Sequence, residues 1–253
     1  MLKTALKSMI ATAAITCSFT AAYAQQAVIK IAATPTAVPF NFLDTKTNTL
    51  DGVMIDVAKA LTKEMGVTPE FSAIPFGTLI PSLQTKKIDM ISSAFAKTPT
   101  RAEVVDFSDL VLTYKEVLIV PSKDTTPYRT YADLKGKVVG VQMGTSYVEP
   151  LKQVQGFKEL KMYDTMPDIV RDIALGRLEA GFGDGPVIAH HVKVGASKQV
   201  RLVDTYESQL ATDISIAVRK GDKELLDKTN AALAKLRANG TLAEIMKKWG
   251  VPQ

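Results

Sequence analysis

The constraint that most limits how this chain can fold is an alternation, repeated along nearly its whole length, of short apolar β-branched runs with amphipathic stretches of helical period. Residues 27–33 read AVIKIAA, a strand. A loop, TPTAVPFNFLDTKTNTLDG, covers 34–52. Beyond it Val53, Ile55, Val57, Ala58, Leu61 and Met65 recur at helical spacing, and Gly66 stands where a helix end wants a left-handed residue. VTPEFSAI (67–74) reads as a strand, GTLIPSLQTKK (77–87) as a short helix and IDMISSAF (88–95) as a third strand. The same order restarts at LKGKVVGVQMG (134–144), a strand ending in glycine. A helix opening on Thr145 or Ser146, a strand at 160–165, a helix at 166–177, a strand at EAGFGDG (179–185) and a helix at 186–195 follow. SIAVRKG (215–221) is a further strand, 223–240 a long amphipathic helix stopped at Asn239-Gly240, and 241–251 closes the chain. Strands alternating with helices of this length predict an α/β protein of βαβ units with mostly parallel sheets.

The two series of units are joined by an extended stretch, TYKEVLIVPSKD (113–124), which predicts two lobes. The last helices have no second unit of their own to cover, so they are expected to return to the first lobe. That assigns 25–114 and 213–253 to lobe 1 and 115–212 to lobe 2, with crossings near Tyr114 and Thr212. Two crossings make a hinge, and a hinged cleft closes on a ligand.

Composition enters where it excludes. Lys3 and Lys7, an uncharged apolar core from Met9 to Thr20 and the small-x-small run Ala22-Tyr23-Ala24 form a secretory leader, with the mature chain expected from Gln25 and export to the periplasm. The apolar run is short of the roughly 20 residues of a spanning helix. The single cysteine, Cys17, lies inside the leader, and Ala14 and Thr16 before it do not suit lipidation. The mature chain then has no thiol for disulfides, metal sites or nucleophilic catalysis. Net charge is +5, and the leader's two lysines leave the mature chain at +3 without a basic run, so nucleic acid is not an expected partner. His190 and His191 are adjacent, point apart on a helix and suit a surface better than a metal. No cofactor is expected.

Arg101, in DMISSAFAKTPTRAEVVDFS (89–108), follows the loop after a short apolar strand. Its planar guanidinium is a rigid fork of donors matched to a carboxylate, and the ends of sheet strands face the crevice where open α/β sheets bind ligands. A surface pairing with Glu103 or Asp106 is the plainer alternative.

Seven ordered segments carry a resemblance to a known family. They are VPFNF, LDGVMIDVAKAL, FGTLIPSLQTKKIDMI, SSAFAKTPTRAEVVDFSD, LKGKVVGVQMGTSY, GRLEAGFGD and LRANGTLAEIMKKWG. Together they resemble the periplasmic amino-acid-binding proteins of ABC importers, the polar amino acid type of solute-binding protein family 3. The resemblance implies a two-lobed periplasmic-binding fold of type II that captures an amino acid, or a small derivative of one, and hands it to a membrane permease as a monomer. It implies that Arg101 binds the ligand carboxylate, with Ser93 lining the cleft and Thr145 and Ser146 offering backbone N–H groups at a helix start. Asp184 would accept the ligand ammonium, and Phe76 and Phe40 would flank the side chain. Each has a simpler structural reading: Ser93 as a strand end, Thr145 and Asp184 as helix caps, the two phenylalanines as core.

The chain departs from the family at Thr34, where members that grip cationic side chains place an acid, at Ala37 in place of an aromatic, and at Ala96 in place of a hydroxyl residue. Lys97 beside it takes no role from the pattern. Thr34 would then line the pocket for a neutral polar or moderately apolar amino acid. The alternative is an enzyme on the same fold, similar to exported cyclohexadienyl or arogenate dehydratases, with Asp184 or Glu149 as the cleft acid. Fold alone does not separate the two.

Overall fold

The computed structural model describes residues 27–196 and 198–251. The expected leader, 1–24, and Cys17 with it lie outside these residues.

In the first half of the chain β1 (Val28–Ala33) enters, and β2 (Thr36–Ala37), β3 (Asn41–Asp44) and β4 (Thr49–Asp51) follow. Helix α1 (Val53–Met65), β5 (Thr68–Ala73), α2 (Leu79–Gln84), β6 (Met90–Ile91) and the single turn α3 (Pro99–Ala102) complete it. Strand β7 (Val105–Pro121) is 17 residues long. Then come β8 (Val138–Gln142), α4 (Val148–Gln153), β9 (Glu159–Tyr163), α5 (Met166–Ala174), β10 (Ala180–Asp184) and α6 (Gly185–His191). The chain ends through β11 (Val200–Leu202), β12 (Ala211–Arg219), α7 (Lys223–Ala238) and α8 (Thr241–Lys248).

The main sheet runs β5-β1-β6-β12-β7-β10-β8-β9, with β11 beside β7. Its two flanks are parallel, as expected: β1 pairs β5 and β6, and β8 pairs β10 and β9. The centre is antiparallel, because β7 runs through both halves and β12 pairs antiparallel with both β6 and β7. The first part of β7 pairs β12, and its last part pairs β10 and β11. The extended stretch expected at 113–124 is therefore the second half of a longer strand. Tyr114 and Thr212, read as the two crossings, face each other in register.

Helix α1 buries Val53, Ile55, Val57, Ala58 and Leu61 of the periodic set, with Met65 half-buried, and ends on left-handed Gly66, whose N–H caps Lys63 and Thr62 carbonyls. Gly52 at its start has φ 122° and sits so close to the Phe40 carbonyl that a Cβ would lie 2.5 Å from its oxygen, which only glycine relieves. The C-terminal helices return to the first half: Trp249 Nε1 and Lys248 Nζ donate to Asp56 of α1 at 2.9 and 2.6 Å.

Two expectations are corrected. Residues 34–52 are not a plain loop but hold a three-stranded antiparallel sheet, β2-β3-β4. Its strands are two to four residues long, too short for a period-2 pattern to register. Helix α4 opens at Val148, not at Thr145 or Ser146, because the intervening residues turn on Gly144 (φ 79°) and the Thr145 hydroxyl donates back to the Gln142 carbonyl at 2.8 Å.

Beyond the crossing, buried Glu116 ties the second half together. Its Oε1 accepts from Tyr131 Oη at 2.8 Å, Tyr206 Oη at 2.6 Å and the Gln209 N–H at 2.9 Å. The carboxylate thus joins β7 to the segment that leads into β12. Burial, with the adjoining carboxylate, drives both tyrosine pKa values upward, so both remain donors.

Candidate functional site

Between the halves lies a narrow, almost filled cavity of ≈ 10 Å³ whose wall includes Thr34, Phe76 and Ala94 from one side and Gln142, Met166 and Asp184 from the other.

Arg101 stands on α3, whose Thr98 cap accepts from the Arg101 N–H at 3.2 Å. The side chain is 7% exposed and lies over the Phe95 ring, 4.0 Å from its centroid, with Phe76 at 5.6 Å. One terminal nitrogen donates to the Ala96 carbonyl at 2.6 Å and the other reaches across to the Gly144 carbonyl at 2.8 Å. The residue that replaces the family's hydroxyl position thus still orients the guanidinium, through its backbone. Pairing with Glu103 or Asp106 does not occur: Asp106 takes Lys220 at 2.9 Å instead. Burial pulls the guanidinium down to about 10, opposed by Tyr114, Asp184 and Tyr147, so at neutral pH it is a charged group held out of water.

Asp184 ends β10 and is 6% exposed. Its side chain makes no cap bond to α6 and instead accepts from Tyr147 Oη at 2.6 Å. Burial raises the carboxyl to about 6, against the stabilising hydrogen bonds of Tyr147 and Tyr114 and the charge of Arg101. Tyr147 and Tyr114, each 8% exposed or less, were not among the residues the sequence singled out. Tyr147 follows Thr145-Ser146 directly and Tyr114 marks the first crossing, so position alone was the available signal.

The other expected residues divide. Phe76 lines the cavity beneath Arg101. Thr34 lines it too, held by the Asn41 side chain, which donates to the Thr34 carbonyl at 2.7 Å and accepts from the Ala94 N–H at 3.0 Å. Asn41 is a second residue the sequence did not mark. Ser93 is fully buried and accepts from the Thr34 N–H at 3.4 Å, so it sets the loop rather than the wall. Phe40 is fully buried as well and stacks on Tyr114, centroids 5.2 Å apart, outside the cavity lining. Thr145 is buried and Ser146 half-buried on the turn after Gly144. Glu149 is exposed and pairs Lys152 at 2.8 Å, away from the cavity. Lys97 is exposed, its N–H bonded to the Asp213 carbonyl. His191 is not a plain surface residue: half-buried, it lies 3.4 Å from the Thr36 carbonyl across the cleft, and burial lowers its pKa. Among the described residues no group of three or more His, Cys, Asp or Glu could hold a metal ion.

The halves touch at Gly77 and Gly144, where a Cβ on Gly144 would come within 2.9 Å of the Gly77 Cα. With the Arg101 to Gly144 bond, this is a closed cleft.

Residues 29–252 match the family model of bacterial extracellular solute-binding proteins, family 3. The chain belongs to this family. ABC transporter arginine-binding protein 1 of Escherichia coli K12 is 34% identical over 238 residues, covering 94% of this chain and 96% of that protein. Among solved structures, an ancestral arginine-binding protein bound to glutamine is 34% identical, with TM-score 0.82 over 88% of this chain and 98% of that one. The ancestral amino acid-binding protein AncCDT-1, a precursor of cyclohexadienyl dehydratase, is 30% identical with TM-score 0.78, over 88% and 94%. The solute-binding protein thus has the two-lobed type II periplasmic-binding fold, its lobes joined where β7 and β12 pass between them. Among the described residues no helix is long and apolar enough to cross a membrane.

Proposed function

We propose that this solute-binding protein captures a free α-amino acid between its lobes and delivers it to the permease of an ABC importer. The observation that carries the reading is Arg101, a buried cation with no carboxylate partner among the described residues, placed across the cleft from a buried carboxyl, Asp184. A zwitterion supplies what each lacks: its carboxylate meets the guanidinium fork and its ammonium meets Asp184. Phe76 and Thr34 then border the side chain, and the turn at Thr145 and Ser146 presents backbone to the carboxylate. Relatives named for arginine and a neighbour bound to glutamine support the ligand class.

The lobes are residues 25–114 with 213–253, and 115–212. The protein works as a monomer in the periplasm, after removal of the leader at 1–24. Binding rather than catalysis is its task. Glu149, one acid a dehydratase could use, is exposed and paired with Lys152, and Asp184, which accepts from Tyr147, is taken up by the ligand ammonium.

The test is thermal denaturation of the refolded mature protein against a panel of amino acids, with arogenate and prephenate included. A ligand that binds only the folded state raises Tm by mass action. A large shift with one or a few amino acids and no product is the expected result. Turnover of prephenate or arogenate would overturn it.

A further inference from the structure

We propose that the ligand side chain runs out of the cavity along the interlobe groove and that Asp164 recognises a cationic group at its end, which makes basic α-amino acids the preferred ligands. This rests on the α-amino-acid reading of the cleft.

Thr34 and Thr36 line both the inner cavity and a second space, of ≈ 540 Å³, that opens outward between the lobes. The two spaces are therefore neighbours through these threonines, and a side chain longer than the inner cavity has one lined route to follow. Ile74 and Pro75 border that route from the first lobe, Met143 and Asp164 from the second. Among the described residues Asp164 is the one charged residue in the groove's lining. It sits next to the inner cavity as well, since Gln142 on the cavity wall donates through Nε2 to the Asp164 main-chain carbonyl at 2.8 Å.

The charges decide the class of ligand. Arg101 and Asp184 are matched by the carboxylate and ammonium that every α-amino acid carries. Asp164 is left over. The arginines that follow it in sequence are engaged elsewhere, Arg171 with Asp168 and Asp172, and Arg177 with Asp172. A positive group in the groove meets an uncompensated carboxylate there. Thr34, in place of the family's acid, then marks a relocation of cation recognition to the second lobe rather than its loss. Methylenes of the ligand would pass over Ile74 and Met143, which suits an aliphatic stem with a charged head.

Asp164 is exposed, so its contribution is that of a screened pair, about two- to fivefold in affinity. The experiment titrates the wild-type mature protein and Asp164→Asn calorimetrically with L-arginine and with L-citrulline, its uncharged counterpart of the same length. The expected result is an arginine preference of about two- to fivefold in wild type, smaller at high salt and absent in Asp164→Asn, with citrulline affinity unchanged. A preference that survives in Asp164→Asn, equal losses for both ligands, or a wild type that favours citrulline would each overturn the assignment. Failure of the underlying reading looks different: the wild type would then bind neither of these two nor any other α-amino acid.

Discussion

Arg101→Ala weakens amino-acid binding by about 2–5 kcal/mol, because the ligand carboxylate is then buried in the closed cleft without its counter-charge. The loss is specific to binding. Removing the side chain frees the Ala96 and Gly144 carbonyls and uncovers Phe95, but it also removes a cation whose burial already depresses its pKa to about 10. The two effects oppose each other, and the variant should fold with a native circular dichroism spectrum. Arg101→Lys should bind almost as poorly. A lysine is a point charge without the fork, and it cannot bridge the Ala96 and Gly144 carbonyls while also meeting a carboxylate. Calorimetric titration of both variants with the tightest amino acid from the panel checks this.

Asp184→Asn separates binding from stability and moves them in opposite directions. The carboxyl is raised from 3.8 to about 6, chiefly by burial. A folded carboxyl that holds its proton more tightly than the unfolded one favours the fold at acid pH. That advantage is lost as pH rises from about 4 to about 6, and above this the ligand-free protein bears the full cost of the buried charge. Asparagine keeps the acceptor for Tyr147 and removes the charge. The ligand-free variant should therefore be more stable than wild type at pH 7 by about 3 kcal/mol, at about 1.4 kcal/mol per pKa unit. The difference should vanish toward pH 4. Affinity goes the other way, falling about a hundredfold or more, since an ammonium would meet an amide in place of a carboxylate. Wild-type affinity should also decline as pH drops through about 6, while that of Asp184→Asn stays level there. Urea denaturation of both proteins from pH 4 to pH 8, with titrations at each end, measures all four quantities.

Much of this was legible because the relevant signals are local. Helix α1 declares itself through a periodic apolar face and a glycine end, and Arg101 and Asp184 through their segments. What escaped depends on contacts across the chain. The β2-β3-β4 sheet has strands too short to carry a pattern. The start of α4 moved because Thr145 is held in the turn after Gly144, its hydroxyl donating back to the Gln142 carbonyl, a contact that spacing does not reveal. Tyr147 lies 37 residues from Asp184, and Asn41 lies 53 from Ala94, so neither role has a neighbourhood in sequence. Phe40 and Ser93, assigned to the site by resemblance, are both fully buried, a placement that depends on packing the sequence does not display. Conversely Thr34, noted as a departure from the family, is a wall residue whose backbone is pinned from two sides.

The most direct measurement compares one amino acid with its two blocked forms. The refolded mature protein is titrated with L-arginine, with its carboxamide and with its Nα-acetyl derivative. The free amino acid should bind tightly and each blocked form should lose about 2–5 kcal/mol, the carboxamide through Arg101 and the acetyl derivative through Asp184. Equal affinity for all three would mean that the buried cation and the buried carboxyl do not grip the two charges of a zwitterion.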